Sequence, residues 1–273
     1  MLNLSNVESL EEKARNIRKS IIEMVYQASS GHPGGSLSIT DILTVLYFSE
    51  MKINNFNDDN RDRLVLSKGH CSTALYAVLA EKGVIPKEDL KEFRKINSYL
   101  QGHPDMNKIP GVDMSSGSLG QGLSVANGMA LAGKLDKKDY RIYCVMGDGE
   151  IQEGQVWEAA MTSGHYKLDN LCVLVDNNNL QIDGTISEVM NPYPIDKKFE
   201  SFGFKTLVIN GHNFDEILNA FQIAKETKGM PTAIIAKTIK GKGISYMENQ
   251  VGWHGKAPNE EEYNLAIEEL INR

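Results

Sequence analysis

The sequence is short of cysteine, has no long apolar run and no cluster of basic residues, and each shortage removes a class of function. Its three cysteines, Cys71, Cys144 and Cys172, are odd in number and have neither CxxC nor metal-type spacing, which argues against a disulfide framework or a zinc ribbon. Two of them fall inside apolar runs, so all three read as small buried residues. No apolar stretch approaches the roughly twenty residues of a membrane span, and the N-terminus lacks the basic, apolar and small-residue succession of a secretory leader. A cytoplasmic protein with no membrane contact is expected. With 29 Lys and Arg against 36 Asp and Glu, the formal charge is −7, which argues against a nucleic-acid surface. Repeats, low-complexity tracts, linkers and HxxxH spacings are also missing.

What is present is a chain of 273 residues with 41% hydrophobic and 24% charged residues, long enough for one large domain over 1–273. It is organised around residues 141–184, which read as one βαβ unit. An apolar run at 142–146 meets Gly147-Asp148-Gly149, a helical pattern follows, and a second apolar run at 171–175 ends in Asp176-Asn177-Asn178-Asn179. A right-handed crossover sets the two strands parallel, with both polar clusters at the carboxyl edge where open α/β sheets bind ligands. Asp148 and Asn178, about thirty residues apart, can then share one ligand. Their oxygens are hard donors, too few to cage a metal alone but suited to Mg²⁺ that takes its remaining ligands from a diphosphate. By itself, GDG reads sooner as an Asp cap on a strand end; the second polar cluster reverses the balance toward a ligand.

Elsewhere helices are expected at 8–29, 40–50, 72–82, 87–95, 214–227 and 260–271, the last of them peripheral, with strands at 63–67, 205–209 and 232–238. This alternation predicts a doubly wound, mostly parallel α/β sheet. His32 in SGHPGG, His70 in LSKGH and His103 in QGHPD sit in glycine-adjacent loops, where imidazoles can accept, donate and move protons, or simply fill turns. His165 and His212 lie at element ends, where capping or backbone bonding is the expected role. SSGSLGQG at 115–122 opens a helix rich in small residues but lacks the order and following acid of a dinucleotide fingerprint.

GDG followed by NN resembles the thiamine diphosphate motif, and SGHPGG, LSKGH, QGHPD, GSLGQG and GKGISYMENQVGWHGK together resemble transketolase over residues 10–258. The resemblance implies the thiamine diphosphate-binding fold and transfer of a two-carbon ketol unit between sugar phosphates. It implies that Asp148, Asn178 and the carbonyl of Leu180 hold Mg²⁺, with Ca²⁺ or Mn²⁺ able to stand in. Leu180 replaces a common isoleucine, and Ser118 a common proline. His70, Gly117, Ser118, Leu119, Asp148, Gly149, Glu153 and Asn178 would contact the cofactor. His32, His70, His103, His254 and Glu153 would do the catalytic work, the glutamate by assisting a partner-chain carboxylate at the aminopyrimidine. In the family the pyrimidine-activating glutamate and the phosphate-binding arginines lie in later domains. The resemblance therefore implies the N-terminal subunit of a transketolase split over two chains, assembled as α2β2 with a C-terminal subunit that carries the pyrimidine-binding domain. Two other readings are another thiamine diphosphate enzyme, such as a 2-oxoacid dehydrogenase α chain or a relative of the dihydroxyacetone or deoxyxylulose phosphate synthases, and a non-catalytic Mg²⁺/phosphate module. The SGHPGG and QGHPD loops favour transketolase over the dehydrogenase.

Overall fold

The computed structural model describes residues 4–272; residues 1–3, part of the stretch read above for a leader, lie outside them. The chain opens with α1 (Leu4–Gln27), whose Leu10, Ala14, Ile17, Ile21 and Met24 recur at three- and four-residue spacing and are all buried. Pro33 cannot continue that helix but suits a first helical position, and it starts α2 (Pro33–Ser38), followed by α3 (Thr40–Val45). Next come β1 (Arg63–Leu66), α4 (Ser72–Glu81), α5 (Gly122–Leu135), β2 (Ile142–Gly147), α6 (Gly154–His165) and β3 (Leu171–Asn177). A small hairpin of β4 (Leu180–Gln181) and β5 (Gly184–Thr185) leads through α7 (Ile186–Val189) and α8 (Ile195–Ser201) to β6 (Lys205–Asn210). The chain ends with α9 (Phe214–Glu226), β7 (Thr232–Lys237) and α10 (Glu260–Ile271).

Five strands form one parallel sheet in the order β1-β2-β3-β7-β6, so the doubly wound expectation holds. Period-2 alternation sends Tyr143, Val145, Cys172 and Leu174 to a core under α1, α3, α4, α9 and α10. It sends Ile142, Cys144, Met146, Val173 and Val175 to a second core under α5, α6 and α8. With both faces covered, β2 and β3 read as continuous apolar runs. Each fully buried Leu, Ile or Val in these layers contributes about 1.5–3 kcal/mol relative to exposure. The three cysteines are free and buried, in line with their sequence context, and burial pushes their thiols up.

Two expectations are corrected. Residues 87–95 form only a 3-10 turn, Lys87–Glu92, because the chain breaks to bury Phe93 and reverses at Arg94, whose φ is +60°. The last helix is not merely peripheral: Ala266 and Leu270 are buried in the core it shares with α1, and Tyr263 stacks on Tyr26 with ring centroids 4.2 Å apart. A capping box between Asn259 and Glu262 starts it.

Candidate active site

The carboxyl ends of β1, β2, β3 and β7 open into one cavity of about 290 Å³. It is lined by His32, Lys68, His70, His103, Gly117, Leu119, Asp148, Gly149, Glu150, Asn178, Leu180, Gln181, Lys240 and His254, among others. Every site residue expected from the sequence is therefore in its wall except Ser118 and Glu153, which are exposed beside it. Two close approaches require glycine. A Cβ on Gly69 would meet the backbone carbon of Ser116 at 2.8 Å, which lets the His70 turn press against the 115–122 segment. Gly120, at φ +81°, would drive a Cβ to 2.7 Å from that of Glu153.

The floor is a network of paired charges. Asp176, fully buried at the end of β3, accepts from the Lys68 ammonium, the Ser38 and Thr238 hydroxyls and Asn178 Nδ2, the last at 3.1 Å. Burial works to raise its pKa, but Lys68 and the hydroxyls hold it below the ordinary value. Glu150, also buried, accepts on Oε1 from Ser67 Oγ and from Gly120 N at 3.0 Å, and on Oε2 from Gly147 N at 3.0 Å. It ties β1, β2 and the start of α5 together. Asp148 accepts from Gly149 N at 2.9 Å, Asn177 Nδ2 at 3.0 Å and Asn179 N at 2.6 Å. Those bonds do not offset its burial, which pushes its carboxyl up to about 6. It is a carboxylate short of positive charge.

Lys240 reaches in from the loop after β7. Its ammonium donates to the Leu180 carbonyl at 3.2 Å and lies 2.9 Å from His254 Nδ1, and burial lowers it to about 8. Above the floor, His32, His70 and His254 form a near-equilateral cluster with ring centroids 5.3, 5.4 and 5.5 Å apart. Burial first, and then neighbouring basic side chains, lower them to about 4, 4 and 3, so all three rings are neutral at pH 7. His103 is lowered in the same direction by burial. Among the described residues His32 Nδ1 is buried without a hydrogen-bond partner, so it has bonding capacity left for a ligand.

Sequence reasoning misses Lys68, Glu150, Asp176 and Lys240. Lys68 stands inside LSKGH and Glu150 directly after GDG, but nothing local says that one pairs with a residue 108 positions away. His212 bonds backbone, as expected of an element-end histidine, while His165, in the last turn of α6, sets its ring edge-on against Tyr166.

Fold and cavity together define a doubly wound α/β protein with one polar, ligand-sized cavity at its strand ends. Comparison gives the family. Residues 10–270 match the family described as transketolase, thiamine diphosphate binding domain, and the chain belongs to it. It is 44% identical to an apulose-4-phosphate transketolase subunit of Phocaeicola vulgatus, over 98% of this chain and 95% of that one. It is 46% identical to 6-deoxy-6-sulfo-D-fructose transketolase subunit SqwG of a Clostridium species, over 96% of each. The crystal structure of transketolase from Campylobacter jejuni superimposes with a TM-score of 0.89 at 39% identity, covering 96% of this chain and 42% of that one. The chain thus spans less than half of such single-chain transketolases and nearly all of the subunit-type relatives. Among the described residues, no helix is long and apolar enough to cross a membrane.

Proposed function

We propose that this chain is the diphosphate-binding subunit of a two-chain transketolase, moving a two-carbon ketol unit from a ketose phosphate to an aldose phosphate. The observation that carries the reading is the meeting of Asp148, Asn178 and the neutral histidine cluster in one cavity at the strand ends. When bound, thiamine diphosphate supplies the carbon nucleophile and the electron sink for C–C cleavage. The protein supplies position, charge and proton acceptors.

The donor set fits Mg²⁺ with a diphosphate. Asp148 is short of positive charge, and the Leu180 carbonyl already accepts a cationic group from Lys240. Asn178 Oδ1 accepts from Leu180 N at 3.1 Å and keeps a second lone pair. An Asp carboxylate, an Asn amide oxygen and a backbone carbonyl leave the remaining positions of the ion to diphosphate oxygens and water. In this reading Asp148, Asn178 and Leu180 ligate Mg²⁺, with Ca²⁺ or Mn²⁺ as substitutes. Gly149 and Lys240 serve the diphosphate, and Gly117, Ser118, Leu119 and His70 border the rest of the cofactor. His32, His103 and His254, neutral and so able both to accept and to donate, orient substrate hydroxyls and move protons. Glu153 waits outside the cavity for the partner's carboxylate.

The partner is supported by relatives of equal length that are named as subunits. Leu119 and Ile182 line the cavity yet are 37% and 67% exposed, which suits a site completed by another chain, assembled as α2β2 in the cytoplasm. The test is ketol transfer from xylulose 5-phosphate to ribose 5-phosphate with thiamine diphosphate and Mg²⁺, with and without the C-terminal subunit. Transfer only by the mixture is expected. Turnover by this chain alone refutes the two-chain reading, and a mixture that binds cofactor yet transfers nothing from any ketose phosphate refutes the activity.

A further inference from the structure

Arg18, Asp41 and His212 form a largely buried polar chain that borders a second cavity of about 220 Å³, and none of them lines the first. Arg18 is on α1, Asp41 in the first turn of α3, and His212 in the turn between β6 and α9; their side chains are 10%, 5% and 10% exposed. Arg18 donates to both Asp41 oxygens, at 2.8 and 2.7 Å, and its Nε donates to the Lys242 carbonyl at 3.1 Å. His212 Nδ1 lies 2.7 Å from Asp41 Oδ2, and its Nε2 lies 2.8 Å from Ile239 N. An amide nitrogen can only donate, so Nε2 is the acceptor and the proton sits on Nδ1, facing the carboxylate. Burial works to raise the Asp41 pKa, but Arg18 and then His212 hold it at about 2, so that carboxylate stays charged.

The two grips fall on Ile239 and Lys242, on either side of Lys240 and Gly241. Between them, Gly241 N donates to the Gly34 carbonyl at 2.9 Å, and the Lys240 carbonyl accepts from Asn249 N at 3.0 Å. A lysine has a long stem and much rotamer freedom to lose, and Gly241 and Gly243 loosen the backbone that carries it. An ammonium keeps its place in a cavity only if that backbone is held.

We propose that His212 is a positioning residue: through the Ile239 amide it fixes the loop that delivers Lys240 into the cavity, with Arg18 and Asp41 as its mount. The claim rests on the cofactor reading only for what Lys240 holds there; the mechanical link stands without it. The test labels lysines of the full chain briefly with acetic anhydride, well below the melting temperature, and reads each site by mass spectrometry against exposed Lys108. The amide of His212→Asn falls near the place of Nδ1 and keeps the Asp41 bond, while that of His212→Gln falls near Nε2 and keeps the Ile239 bond. Lys240 labelling is expected to rise about tenfold in His212→Asn, an opening of ~1.4 kcal/mol, and to stay near wild type in His212→Gln. A residue that merely stabilises the fold gives equal Lys240 labelling in all folded forms, and that result, or the reversed order, overturns the proposal. Should His212→Asn not fold, Asp41→Asn keeps an acceptor for the ring but removes its charge; Lys240 labelling there equal to wild type is likewise fatal. Wild type with Mg²⁺ and pyrophosphate reports separately: absence of Lys240 protection, with the Asn/Gln contrast intact, sinks the cofactor reading and leaves the positioning role.

Discussion

The floor and the histidine wall of the cavity are built on opposite rules. In the floor, Lys68 and Asp176 complete each other within the chain, with hydroxyls from Ser38 and Thr238 filling the remaining lone pairs. In the wall, three rings are desolvated and neutral, and His32 Nδ1 is buried with no partner among the described residues. The floor is finished by folding; the wall keeps hydrogen-bonding capacity in reserve. Asp148 sits at the boundary, bonded like a floor residue but lacking the charge that would offset its burial.

That contrast can be broken most forcefully at the floor. Asp176→Ala leaves the Lys68 ammonium buried and unpaired, and should cost about 3–5 kcal/mol of stability in urea unfolding. A loss under about 1 kcal/mol would mean that the pair is not part of the fold. His103→Ala or His254→Ala should act the other way, leaving stability and cofactor binding near wild type while lowering turnover of the assembled enzyme about 10²-fold. A variant with full kcat but lost cofactor contradicts the wall assignment. Asp148→Ala should weaken thiamine diphosphate binding with Mg²⁺ tenfold or more, or ~1.4 kcal/mol, in calorimetric titration of the assembled protein. Unchanged affinity removes Asp148 from the metal site.

Acidification sharpens the comparison without a mutation. Histidines held at about 4, 4 and 3 refuse protons that the unfolded chain accepts near 6.5, so stability is full above that pH and is lost as pH falls toward the folded values. Asp148, raised to about 6 from 3.8, works in the opposite sense, regaining stability as pH falls through the same window. Three groups outweigh one, and with solvent screening discounted the net slope should be roughly 1 kcal/mol per pH unit between pH 6 and 4. Asp148→Asn should steepen it; a flat profile in both proteins means that the rings are not buried neutral.

How much of this is legible in the sequence follows from how local each signal is. Asp148, Asn178 and the loop histidines announce themselves, because strand ends and glycine-flanked turns are written in consecutive residues. The doubly wound sheet is equally readable from alternating apolar runs. Lys68, Glu150 and Asp176 are not, since a buried charge looks like a surface charge until its distant partner is known. Lys240 falls between the expected strand at 232–238 and the glycine-containing loop after it, where no local pattern marks one lysine as buried. Residues 87–95 have a helical composition, and only the burial of Phe93 against the core breaks them.

The alternation along β2 sets a parity condition on the site. Tyr143 and Val145 enter one core, Ile142, Cys144 and Met146 the other, and the count continues into Gly147, paired with Asp176, and then Asp148. Inserting one residue into β2 would exchange the two cores' side chains at every later position and turn the Asp148 carboxylate away from Asn177 and Asn179. Inserting two would preserve the sidedness while advancing the carboxylate by almost 7 Å along the strand axis. The spacing between the end of the core and the Asp148 carboxylate is therefore held by the packing of both layers at once, and neither layer can drift by a residue without carrying that carboxylate with it.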